Sequence, residues 1–85
     1  MSRYREFALK CIIKEEYRES FNSSVTRGTL SRFLAYNKAT GECSLEVEYN
    51  VHNMEFHSLV REFTENSLPN IADEIVYLYD YLEDE

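Results

Sequence analysis

The chain has 85 residues, two cysteines, two glycines, one proline and no tryptophan, and carries 9 lysines and arginines against 16 aspartates and glutamates, a formal charge of -7. That length holds one domain, residues 1–85, with a modest core. A hydrophobic fraction of 44% is too high for a disordered acidic tail, and no apolar run approaches the roughly 20 residues of a membrane helix.

The first segment, residues 3–17, reads two ways. As a strand it places Phe7, Leu9, Cys11 and Ile13 on one face. As a helix it gathers Tyr4, Phe7, Ala8, Cys11 and Ile12. The helix would start on Arg3 and Arg5 and end on Glu15, Glu16 and Glu19, the wrong way round for its dipole. It would also set Glu15 in its apolar face. The strand is therefore preferred.

Residues 20–28, with Asn22, Ser23, Ser24 and Gly28, read as the flexible segment. A hairpin follows. Residues 30–36 and 43–51 flank the turn Asn37-Lys38-Ala39-Thr40-Gly41-Glu42, where Gly41 can take a left-handed conformation. Cys43, Leu45, Val47, Tyr49 and Val51 alternate with Ser44, Glu46, Glu48 and Asn50, the pattern of a sheet wet on one side. If Asn37 pairs with Glu42, Leu30, Leu34 and Tyr36 join the apolar face. Arg32 would fall there too, so it sits at an edge or the register slips beside it.

Residues 53–66 predict a helix capped by Asn53, with Phe56, Leu59, Val60 and Phe63 on one face. The last segment predicts a second helix. Pro69 suits a first turn, Asn70 or Ser67 a cap, and Ile71, Ile75, Leu78 and Leu82 form one stripe. The expected architecture is α+β: a three-stranded antiparallel sheet, a β-meander, packed against two C-terminal helices. The alternative is an N-terminal helix, a hairpin and two helices.

Chemistry-bearing constellations are sparse. Cys11, Cys43, His52 and His57 offer no close ligand pairs, as zinc sites in short chains do. No metal or cofactor is expected. Both cysteines read as reduced thiols packed as small hydrophobes. Ser58 follows His57, but adjacent helical side chains diverge. There is no glycine-rich phosphate loop. An enzyme is not expected. Basic residues stand near aromatics in Arg3, Tyr4, Arg5, Phe7, Lys10, Lys14, Tyr17 and Arg18, yet a net charge of -7 opposes direct nucleic-acid binding.

The charge is bipolar. Residues 1–41 hold eight bases and four acids, a balance of +4, while residues 42–85 hold twelve acids and one base, Arg61, a balance of -11. On the predicted last helix Asp73, Tyr77, Asp80 and Asp84 line up opposite the apolar stripe, bordered by Glu74 and Tyr81. Glu46 and Glu48 on the wet sheet face, with Glu62 and Glu65, would extend the patch. Tyrosine among carboxylates is a plausible binding face for a basic protein. The expectation is a small acidic, non-enzymatic inhibitor or immunity-type protein, phage- or mobile-element-like in composition. It would cover a basic, nucleic-acid-binding or nuclease surface, with DNA mimicry as the extreme form. The alternative is a self-associating structural or regulatory module, a homodimer. The basic N-terminus is followed by charged residues and no signal-peptide core, so a cytoplasmic setting is expected.

Overall fold

The computed structural model describes residues 3–21 and 28–84. A four-stranded antiparallel sheet is built from β1 (Arg3–Ile13), β2 (Leu34–Tyr36), β3 (Glu42–Asn50) and β4 (Ala72–Asp84), in the spatial order β2-β3-β1-β4. A helical layer crosses one face. It runs from α1 (Met54–Arg61) through π-helical turns at Glu62–Ser67 to a last α-turn at Leu68–Ile71. The class is α+β, as expected, but the sheet has four strands and one continuous helical stretch replaces two helices.

β1 takes its strand conformation because its odd residues from Phe7 onward are apolar and meet the core. Phe7, Leu9, Cys11 and Ile13 are all buried. It pairs with β3 from Tyr4↔Asn50 to Ile12↔Glu42, so the sheet is not the expected meander. β1 lies centrally, between β3 and β4. Cys11 and Cys43 face each other directly across this pairing as buried free thiols. The hydrogen bond with the adjoining Cys11 sulfur, and then burial, hold the Cys43 thiol far above its ordinary range.

The hairpin turn forms as its residues dictate. Asn37 N–H donates to the Glu42 carbonyl at 2.8 Å, Gly41 N–H donates to the Asn37 carbonyl at 2.8 Å, and Gly41 has φ 80°. Its first strand is shorter than the expected 30–36. Gly28–Phe33 wind into 3-10 turns, which bury Leu30 and leave Arg32 exposed. A longer strand would have turned the Arg32 guanidinium into the core. Within the segment read as flexible, Phe21 is fully buried; residues 22–27 lie outside the described residues.

Asn53 caps α1, its Oδ1 accepting from Phe56 N–H at 3.2 Å. Phe56, Val60 and Phe63 are buried on the expected face. The helical stretch does not stop near residue 66. Pro69 has no N–H and its ring crowds the carbonyl four residues back. The wide π turns just before it relieve that conflict: Leu68 N–H reaches back to the Phe63 carbonyl. The Asn70 side chain donates to the Asn66 carbonyl at 2.9 Å.

The largest correction concerns the C-terminal segment. It is a strand, not a helix. Ala72 turns extended at φ -88°, ψ 132°, and the following residues pair with β1 from Ala72↔Ile13 to Asp84↔Arg3. Irregularities opposite Lys10/Cys11 and Ile12/Ile13 leave Val76 and Asp73 outside the pairing. The helical stripe Ile71, Ile75, Leu78 and Leu82 is thereby split. Ile71 is buried, while Ile75, Leu78 and Leu82 are close to half exposed, because the helical layer covers the middle of the sheet and not β4.

Candidate protein-binding face

Directly opposed residues in an antiparallel sheet share a face. The pairings therefore sort the paired residues of β1, β3 and β4 between the two faces. Phe7, Leu9, Cys11 and Ile13 look toward the helical layer. The even residues of β1 look the other way, and no element covers them among the described residues.

On this open face three rows cross the sheet. Glu48, Glu6 and Tyr81 form one; Glu46, Ala8 and Tyr79 the next; Ser44, Lys10 and Tyr77 the third. Tyr4 with Glu83 continues one end, and Ile12 with Glu74 the other. The Tyr79 and Tyr81 rings stack at 6.5 Å with planes 17° apart. A shallow depression over Ala8, about 610 Å³, is walled by Glu6, Glu46, Glu48 and Tyr79.

Of the residues singled out in the sequence, Glu46, Glu48, Glu74, Tyr77 and Tyr81 come together here. They do so through sheet pairing rather than along a helix. Glu6, Tyr79 and Glu83 join them, which the helical wheel could not show. Asp80 does not. It faces the helical layer, where Arg5 grips it with two hydrogen bonds of 2.8 Å. Asp73 lies at a β4 irregularity and is exposed. Asp84 pairs with Arg3 in the register. Glu62 and Glu65 belong to the helical layer, across the sheet from the open face, so they do not extend the patch.

The open face sets two carboxyl groups side by side. Glu6 and Glu48 are directly opposed, and like charges so placed destabilise a sheet. Glu6 is pushed above the ordinary carboxylate range, first by loss of water and then by the hydrogen-bonded Glu48 carboxyl, its charge and that of Glu83. A cation set between these carboxylates would relieve the strain.

A second polar constellation lies on the helical side. Asp80 holds Arg5, the Arg5 Nη1 donates to Tyr49 Oη at 3.3 Å, and Tyr49 Oη lies 2.9 Å from His57 Nδ1. The phenol accepts from arginine, and its own proton can go to Nδ1 when that nitrogen is unprotonated. Arg3 and Arg61 with Glu65 complete a groove of about 340 Å³ there. Nothing in the sequence signals this cluster, since residues of β1, β3, α1 and β4 meet only in the fold.

Burial first, then the positive charges of Arg5 and Arg61, push His57 below its ordinary value. The folded chain therefore binds fewer protons than the unfolded one below about pH 6.5, so this contribution to stability is whole above that pH and is lost as pH falls through the His57 pKa. NMR titration of the imidazole is expected to place His57 below about 6.5, and His57→Phe to flatten the acid limb of stability against pH. An imidazole titrating at or above that value contradicts the network.

Among the described residues no three of His, Cys, Asp or Glu converge as metal ligands. No described helix is long and apolar enough to cross a membrane. The chain matches no family model, no curated protein and no solved structure.

Proposed function

We propose that this chain is a small acidic protein-binding domain whose open sheet face covers a basic surface of another protein. The juxtaposition that carries the proposal is the row of Tyr77, Tyr79 and Tyr81 beside Glu6, Glu46 and Glu48 on a face that no layer covers among the described residues. Tyrosines supply contact area at low entropic cost, and carboxylates steer and pair with lysine and arginine. A cationic side chain docking between Glu6 and Glu48 gains more than it would at a relaxed site, because it also removes their mutual repulsion. A nucleic-acid-binding protein or nuclease presents such a surface, and an inhibitor or immunity-type role follows from occluding it. DNA mimicry is the narrow form of this reading. Glu46 and Glu48, two residues apart on a strand, stand about 6.6 Å apart along it, and they would stand in for phosphates.

Affinity capture from lysate, with identification of the captured protein and its rebinding in purified form, tests the proposal. The partner is expected to be basic and to dissociate as salt rises. Glu46→Lys with Glu48→Lys is expected to weaken it at least 100-fold while the circular dichroism spectrum is unchanged, since each reversed contact is worth about 1.5–3 kcal/mol. A partner held equally by the reversed variant contradicts it. Reversal of Glu62 and Glu65, on the other layer, is expected to change affinity less than threefold.

A further inference from the structure

The two edges of the sheet differ sharply. β2 is three residues long, while β4 is thirteen. Proteins blunt long edges with lysine, proline or a cover, because free N–H and C=O groups template another strand. β4 has no lysine and no proline, and its two irregularities fall at Val76 and Asp73, leaving the pairing from Tyr77 to Asp84 regular.

The direction of its free groups follows from β1. Val51 N–H donates to the Arg3 carbonyl, and Ile13 N–H donates to the Gly41 carbonyl, so the odd residues of β1 point their backbone groups toward β3. Its even residues then bond β4, at Tyr77, Tyr79, Tyr81 and Glu83. The opposite set, Leu78, Asp80 and Leu82, points its N–H and C=O groups outward from the sheet.

The side chains on this edge are as open as its backbone. The seven large apolar residues between positions 75 and 82 are each 44–50% exposed. An aromatic side chain presents about 150–250 Å² in full, so the open halves amount to several hundred Å². That area is divided between the two faces of the strand, Tyr77, Tyr79 and Tyr81 on one and Ile75, Leu78 and Leu82 on the other, so it flanks the open backbone edge on both sides, and in total it approaches the roughly 800 Å² per partner of a stable interface. The acids of β4 lie toward its ends, except Asp80, which Arg5 neutralises. The middle is thus apolar and charge-compensated, and complementary to itself.

We infer that β4 is the interface between two copies of this chain, whose sheets join by antiparallel β4–β4 pairing about a two-fold axis. Such an axis keeps equivalent residues on the same face. Passing it through Asp80 would set two aspartates opposite each other. Passing it through a tyrosine instead stacks tyrosine on tyrosine and pairs the outward groups of Leu78 or Leu82 with those of Asp80. The helical layers then lie on one side, and the two open faces become one continuous surface. The inference shares Tyr77, Tyr79 and Tyr81 with the proposed partner-binding face, but it rests on the outward backbone groups of β4, whereas partner binding rests on the carboxylates of Glu6, Glu46 and Glu48. A monomer leaves that proposal intact, and loss of partner binding leaves the dimer intact.

Sedimentation equilibrium from micromolar to millimolar protein, at low and high salt, is the test. A dimer is expected, tightened by salt because each copy carries -7. Leu78→Pro removes one outward N–H and no bond to β1, so it is expected to give a folded monomer. Leu82→Pro is the second variant, should the first fail to fold. A wild-type chain that stays monomeric at millimolar concentration and high salt overturns the inference. So does a dimer that survives in whichever proline variant folds.

Discussion

Gly41→Ala is expected to cost about 3 kcal/mol of folding stability, large for a single added methyl group. Two effects add. Gly41 has φ 80°, a region that costs residues with a Cβ about 1–2 kcal/mol. A Cβ there would also lie 2.6 Å from the Ile13 carbonyl oxygen and 2.6 Å from Arg18 Nε. Neither neighbour yields easily. Ile13 N–H donates to the Gly41 carbonyl at 2.7 Å, and Arg18 Nε donates to the Ile13 carbonyl at 3.0 Å. The turn of the β2–β3 hairpin is thus locked to the end of β1. Urea unfolding measures the loss; a variant within about 1 kcal/mol of wild type contradicts this packing.

Phe21→Ala is expected to cost about 3–5 kcal/mol, the range for removing a buried aromatic ring. Phe21 is 0% exposed. Its ring sits 4.5 Å from Tyr36 and 6.3 Å from Phe63, so it joins the hairpin to the helical layer. Tyr36 Oη donates to the Arg18 carbonyl at 3.0 Å and fastens the same segment. Thermal and urea unfolding should both register the loss. A cost under about 1 kcal/mol would place Phe21 outside the core.

These two residues mark what a single sequence can and cannot carry. The left-handed glycine was legible, because turn chemistry is local. The close approach of Ile13 and Arg18 to it was not, because it depends on how distant strands meet. Phe21 looked like loop because its neighbours are serines and asparagines; its burial is decided by Tyr36 and Phe63. The alternation of β3 and the face of α1 were legible for the same local reason as Gly41.

The C-terminal segment shows the harder case. Ile71, Ile75, Leu78 and Leu82 repeat at a helical spacing, and that period was given precedence. Yet Ile75, Val76, Tyr77, Tyr79 and Tyr81 are all β-branched or aromatic, the residues strands favour. Alternation was masked because both faces of β4 are apolar and the irregularities at Val76 and Asp73 break the two-residue period. The free edge of β1, some 70 residues away in sequence, decided between the two. The candidate face is half legible: Glu46, Glu48, Glu74, Tyr77 and Tyr81 can be read from the sequence, while the pairing that turns the exposed Asp80 to the other face cannot, because its arginine lies at the other end of the chain.

Everything proposed here for the open face and the edge depends on β4 lying beside β1. NMR assignment of residues 72–84 tests that directly. Extended-chain carbon shifts are expected throughout, with cross-strand contacts between Tyr81 and Glu6 and between Tyr79 and Ala8. Helical shifts, with contacts between residues three apart along this segment, would contradict it.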